Sequence, residues 1–230
     1  SARSRHAPIQ DLGDELQVPL SDLPAGAEAL SAKLSVQNSP EAAEGRKLLS
    51  DVRRMSRLTG NLLEMSRLQS SGFELEAKKT PIAELFEESL DEIAPSQRQQ
   101  FHVVTNIAKD CPVEISVDPA LIRRLLVNHL DNAVKYCSAG CTIELSAEAA
   151  AGNVLISVSD NGPGLPGGDV NRLFDPFKRG VKTGNGAVAG VGLGLAISRT
   201  IARVHGAQLI GKNNADGPCC AFALIQPGPE

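Results

Sequence analysis

Asn128 and Asn132 stand four residues apart in NHLDNAVKY, residues 128–136, with Asp131 and Lys135 beside them. Residues at that spacing share one face of a helix. Two amide oxygens on such a face can join phosphate oxygens around Mg2+, a hard cation that takes oxygen ligands, and Lys135 adds a point charge for phosphate. Taken alone, the same stretch also describes the solvated side of an amphipathic helix. Other residues add to it. A run rich in Val and Ile leads into DNGPGLP, residues 160–166, where Asp160 falls at a strand end and Gly162 and Gly164 make the following loop tight. A carboxylate fixed there can accept a hydrogen bond from an exocyclic amine, which tells adenine from guanine. RLFDPFKRG, residues 172–180, carries Phe174 and Phe177, two hinge points for a mobile segment. GAVAGVGLGLAI, residues 186–197, then brings Gly190, Gly192 and Gly194 to the start of a helix. Glycines let backbone amides approach phosphates, and a helix N-terminus favours negative charge.

The elements that must hold these residues fall into two parts. From Leu16 the apolar residues Leu16, Leu20, Leu23, Ala27, Leu30 and Leu34 follow the alternating four-and-three spacing of a helical seam, disturbed at Pro24 and Gly26. Asn38-Ser39-Pro40 is a turn signal. A second helix is expected over 41–69, its stripe made by Leu48, Val52, Met55, Thr59, Leu62 and Ser66 and widened by Leu49, Leu58 and Leu63. One hairpin cannot cover so wide a stripe, so residues 14–69 are expected to form a homodimer, a four-helix bundle. After a linker at 70–72, strands are expected at 73–77, 102–107, 113–117, 142–147 and 154–159. Helices are expected at 81–92, 119–136 and 195–205, with further strands closing the domain. The reading is an α+β chain: a helical hairpin over 1–70 and a mixed domain over 71–230.

The four glycine- and asparagine-bearing stretches, in this order and spacing, resemble the N, first glycine, F and second glycine boxes of sensor histidine kinases and their relatives among gyrases, Hsp90 chaperones and mismatch-repair ATPases. The resemblance covers residues 73–226. It implies an α/β sandwich that binds ATP with Mg2+ beneath a lid at 175–189. Asn128 and Asn132 would hold the metal, Lys135 and Tyr136 would line the nucleotide site, and Asp160 would read adenine. Gly162, Gly164, Phe174, Phe177 and Arg179 would complete the base side and the lid stem. Gly190, Gly192, Gly194 and Leu195 would form the phosphate side. Asp131 stands where the ATPase relatives keep an acid that activates water. RLTGNLLEMSRLQSSGFEL, residues 57–75, and the run from Phe174 to Ala207 look most like the Kdp-type potassium sensor kinases. That family implies a dimer anchored in the inner membrane, a cytoplasmic position for this part of it, and a response regulator or partner kinase as partner.

One motif departs from the family. Counting back from Asn61-Leu62-Leu63, the phosphoacceptor box falls on DELQVPL, residues 14–20. Glu15, Leu16, Pro19 and Leu20 fit, but the acceptor His is Asp14, the usual Arg is Gln17 and the usual Thr is Val18. A neutral imidazole attacks phosphorus and passes the phosphoryl group on. Asp14 is an anion facing an anionic phosphate, and Val18 cannot position water for dephosphorylation of a regulator. None of His6, His102, His129 and His205 has the setting of an acceptor. The expectation is therefore an ATP-binding core with lost or altered autophosphorylation. The alternatives are an active kinase that phosphorylates another residue or partner, and a plain ATPase.

Composition fits this class. The net charge of −4 and aromatic content of 3%, with no Trp, remove the electrostatic and stacking cases for nucleic acid. No apolar run reaches the length of a membrane span. The opening SARSRH lacks the apolar core of a signal peptide and reads as a cut inside a longer protein. The five cysteines, Cys111, Cys137, Cys141, Cys219 and Cys220, lack paired metal spacing and are expected as reduced thiols.

Overall fold

A computed structural model describes residues 40–150, 153–165, 170–177, 192–213 and 220–227. The helix expected from residue 16, the box at 14–20 with Asp14 and Glu15, Arg179, Gly190 and most of the segment 175–189 lie outside the described residues.

The chain divides into two units, Ser1–Phe73 and Glu74–Glu230. In the first, helix α1 covers Pro40–Leu68. It starts on the proline, whose fixed φ and missing N–H suit a first helical position, and Arg67 lies in its last turn, where a cation meets the negative end of the helix dipole. Leu48, Met55 and Leu62, spaced seven apart, are exposed along α1.

The second unit begins with β1 (Lys78–Pro81), α2 (Ile82–Asp91), α3 (Pro95–Arg98), β2 (His102–Ile107), β3 (Glu114–Val117) and α4 (Pro119–Tyr136). It continues with β4 (Thr142–Ala150), β5 (Asn153–Asp160), a 3-10 turn at Val170–Phe174, α5 (Gly194–Val204), β6 (Gln208–Asn213) and β7 (Cys220–Pro227). Among the described residues a five-stranded sheet runs β2-β4-β5-β7-β6, with β2 parallel to β4 and the other pairs antiparallel. β1 and β3 form a separate antiparallel pair.

The expected strand at 73–77 is not one; those residues are irregular and the strand follows at Lys78–Pro81. Alternation alone does not make a strand without a ladder to join, and it is Lys78–Pro81 that meets β3, with Lys78 opposite Val117 and Pro81 opposite Glu114. The short α3 and the 3-10 turn were not legible, being too short for a periodic signal.

Period-two burial on the sheet meets helical burial on α2, α4 and α5. Ile143, Leu145 and Ala147 of β4 and Val154, Ile156 and Val158 of β5 are buried. So are Leu85 and Phe86 of α2, Ile122, Leu126 and Leu130 of α4, and Ile197 and Ile201 of α5. The result is helices against a sheet around one apolar layer.

His129 lies in this layer, and burial pushes its imidazole down to about 3. The folded ring stays neutral while the unfolded ring takes a proton below its ordinary value of 6.5, so acid favours unfolding from there down to about pH 3. His205, also lowered by burial, adds a slope of the same sign. Stability of the second unit should fall by up to about 1.4 kcal/mol per pH unit from the His129 ring alone. Urea unfolding at about pH 7.5 and about pH 5 checks this, and His129→Leu should flatten the dependence.

Candidate functional site

Helix α4 carries the polar face, and it is tied at three places. Its N-cap, Asp118, accepts the N–H groups of Ala120 at 3.1 Å and Leu121 at 3.2 Å through Oδ1. The Asp118 N–H in turn donates to His205 Nε2 at 3.1 Å, while His205 Nδ1 lies 2.8 Å from the Ile201 carbonyl. A ring that accepts at Nε2 carries its proton on Nδ1, so neutral His205 pins the start of α4 to the end of α5.

Midway along α4, Asn128 Nδ2 donates to the Gly194 carbonyl at 3.3 Å and to buried Ser198 Oγ at 3.4 Å. The asparagine stretch and the second glycine stretch therefore meet through this side chain. A Cβ on Gly194 would sit 3.6 Å from Asn128 Oδ1, so the contact is ordinary van der Waals packing. One turn later Asn132 is half-buried. Asp131 and Lys135 are exposed and pair with each other at 3.4 Å, an i,i+4 contact. Tyr136 is exposed at the end of the helix.

At that end Cys137 caps α4, its N–H on the Ala133 carbonyl at 2.9 Å. Its side chain lies beside Asp160, the last residue of β5. Asp160 Oδ1 also accepts the Gly162 N–H at 2.9 Å. Space is tight here: a Cβ on Gly162 would lie 2.6 Å from Cys137 Sγ and 2.8 Å from Asp160 Oδ1. Burial, and then the Asp160 carboxylate, push the Cys137 thiol far up, so it stays protonated. Beyond the loop, Asn213 of β6 clamps Leu165, donating to its carbonyl at 3.1 Å and accepting its N–H at 2.7 Å. Gly164 adopts a positive φ of 75° in this loop, which a glycine tolerates.

Phe174 is buried and Phe177 exposed. Arg199 of α5 lies over the Phe174 ring, 5.7 Å from its centroid, a cation–π contact. Phe177 has φ 63°, and its N–H donates to the Gly192 carbonyl at 2.9 Å. That bond brings together the two ends of the segment whose middle lies outside the described residues. Leu195, half-buried, follows Gly194 in the first turn of α5.

Residues 117–225 match the family described as histidine kinase-, DNA gyrase B-, and HSP90-like ATPase. The chain is 38% identical over 229 residues to Sensor protein KdpD of Escherichia coli, covering 98% of this chain and 25% of that protein. It is 30% identical over 225 residues to the adaptive-response sensory kinase SasA of Thermosynechococcus vestitus, covering 94% of this chain and 58% of that one. It superposes on full-length ShkA in complex with AMPPNP with a TM-score of 0.71 at 25% identity, over 96% of this chain and 45% of that one. The chain is a sensor histidine kinase ATP-binding core. It spans between a quarter and about six tenths of the length of these relatives.

In this kinase core, Cys137, Asn213 and Arg199 are contacts that sequence reading did not assign, whereas His205, before a glycine, stands where the family resemblance places a packing histidine. Of the first three, only Cys137 had a positional signal, since it directly follows Lys135-Tyr136. Gly162 gives the sharpest check on the geometry. Gly162→Ala should destabilise the second unit by about 1–3 kcal/mol through overpacking, and Cys137→Ala should recover part of the loss. Thermal unfolding of both variants and their combination measures it, with about 2–4 °C expected per kcal/mol in a unit of this size.

Proposed function

We propose that the chain binds ATP with Mg2+ along α4 and acts as the dimeric signalling core of a two-component sensor kinase, Kdp-like, whose ordinary histidine autophosphorylation is lost or altered. The observation that carries the nucleotide reading is the pair of contacts along α4: the Asn128 hydrogen bond to Gly194, and the approach of Cys137 Sγ and Asp160 Oδ1 to Gly162. These lie nine residues apart on the helix, about 13 Å at 1.5 Å per residue. Asp160 then reads the base at one end while Asn128 and Asn132 serve the phosphates at the other. The residues present suit the metal as well, because amide oxygens are hard ligands. When bound, Mg2+ would neutralise phosphate charge, with Asn128 and Asn132 holding it and Lys135 nearby. Gly162 and Gly164 keep the base side open, while Gly192, Gly194 and Leu195, with Gly190 beyond the described residues, supply the phosphate side.

The change at the acceptor box supports the second half of the reading. Asp14 stands where the histidine belongs, with Gln17 and Val18 beside it, so the usual nucleophile is missing from the sequence. A protein of this kind signals through nucleotide occupancy and dimer partners, a response regulator or a partner kinase among them. The exposed stripe of Leu48, Met55 and Leu62 on α1 favours a homodimer through residues 14–69. Among the described residues no helix is long and apolar enough to cross a membrane. The reading places this part at the cytoplasmic face of a longer, membrane-anchored protein.

Calorimetry should give micromolar-range binding of Mg-ATP or Mg-ADP, about 8 kcal/mol. Asn132→Ala and Asp160→Ala should weaken it at least about tenfold, and Asp14→Ala should leave it unchanged. Absence of heat at millimolar nucleotide overturns the nucleotide reading. Light scattering should show a dimer that Leu62→Glu shifts toward monomer, since the substitution buries an unpaired charge; a monomer for the unaltered chain at high micromolar concentration removes the dimer.

A further inference from the structure

Asn128 reaches α5 twice. Its Nδ2 donates to the Gly194 carbonyl at 3.3 Å and to Ser198 Oγ at 3.4 Å. Gly194 and Ser198 are four residues apart in α5, so the carbonyl and the hydroxyl lie one turn apart on one face of that helix. The two bonds use both hydrogens of the amide nitrogen. Ser198 is fully buried, and its sequence neighbours Ile197 and Ile201 belong to the apolar layer. A buried hydroxyl costs stability unless it is bonded, and here it meets Asn128.

Which way the amide points decides what Asn128 can do. An asparagine side chain has a donor end and an acceptor end, exchanged by half a turn about its last torsion. A cation takes the oxygen. The Gly194 carbonyl can only accept, so it draws the nitrogen and sets which end faces α5. One bond still lets the amide plane swing. Ser198 supplies the second, one turn further along α5, and holds the plane. Oδ1 then sits 3.6 Å from the point that a Cβ on Gly194 would occupy, beside a glycine assigned above to the phosphate side.

We propose that Ser198 is a positioning residue for the nucleotide's cation: by taking an Asn128 N–H it fixes the amide so that Oδ1 is presented to Mg2+. The proposal rests on the nucleotide reading given above. Ser198 acts through Asn128 and not on the ion itself. Loss of its oxygen therefore weakens the metal-dependent part of nucleotide binding and leaves the metal-free part alone. A hydroxyl that only filled space would change both parts equally or neither.

The test is calorimetry of the intact chain with ATP, once with Mg2+ and once with EDTA, reading the ratio of the two dissociation constants. Ser198→Ala should shrink the advantage that Mg2+ gives by about fivefold, the scale of one neutral hydrogen bond, with the EDTA value unchanged. In an Asn128→Ala background the same substitution should change the ratio no further, because the two residues act as one unit. Alanine suits both the helix and the apolar surroundings, and thermal unfolding checks that each variant folds. Proton–nitrogen NMR of the nucleotide-free chain reads the tether itself. The Asn128 side-chain NH2 pair, assigned by its loss in Asn128→Ala, should shift in Ser198→Ala. An unshifted pair overturns the proposal, as does an unchanged Mg2+ advantage or an equal loss with EDTA. An unaltered chain that binds no ATP in either condition overturns the nucleotide reading and the proposal with it, whereas normal Mg-ATP binding with an unchanged ratio in Ser198→Ala overturns the proposal alone.

Discussion

The backbone at Gly162 has no room for a methyl group: Cys137 Sγ and Asp160 Oδ1 already occupy the space where a Cβ would go. This close approach joins the end of β5 to the end of α4. Without it the Asp160 carboxylate would be a surface group at a strand terminus, free to turn. With it the carboxylate accepts the Gly162 N–H and has the Cys137 side chain packed beside it. A strand contributes the acid, a helix contributes the thiol, and the glycine lets them meet.

The rest of the second unit keeps that meeting in register. The sheet fixes β5 through its ladders with β4 and β7, where Asp160 pairs with Ile143 and Cys220. Helix α4 is fixed at its start by His205 and along its length by Asn128, both reaching α5 or its ends. Neutral His205 can do this only because it accepts from the Asp118 N–H and donates to the Ile201 carbonyl at once. Opposite, Gly211 on β6 leaves room for Val170, Leu165 and Phe174, which approach the position of its missing Cβ at 3.1, 3.3 and 3.5 Å. Gly162 in the loop after β5 and Gly211 on β6 therefore each leave room for side chains from neighbouring elements.

Much of this was legible in the sequence, for physical reasons. The helix at Pro119–Tyr136 was legible from its amphipathic pattern, while its Asp118 cap was not read. The strand leading to Asp160 was legible from alternating Val and Ile. The strand expected at 73–77 failed because alternation says nothing about a pairing partner; Lys78–Pro81, with two lysines and a proline, makes a poor strand by composition but has β3 beside it. At the site, Asn128, Asp160 and Gly194 stood out because each belongs to a recurring pattern. Cys137 and Asn213 did not, since their roles depend on neighbours 23 and 48 residues away in sequence, Asp160 and Leu165 respectively.

On the function proposed here, an ATP site with its expected residues is joined to an acceptor box whose histidine position is Asp14. A histidine nucleophile must come within about 3–3.5 Å of phosphorus in line with the leaving group, and Asp14 with Gln17 and Val18 offers neither the nucleophile nor its usual neighbours. The most direct measurement is incubation of the unaltered chain and its Asp14→His variant with γ-labelled ATP, followed by acid and base treatment of any labelled product. The account predicts no acid-labile label on the unaltered chain and weak or no labelling of the variant. Strong acid-labile labelling of the unaltered chain at a histidine would contradict it.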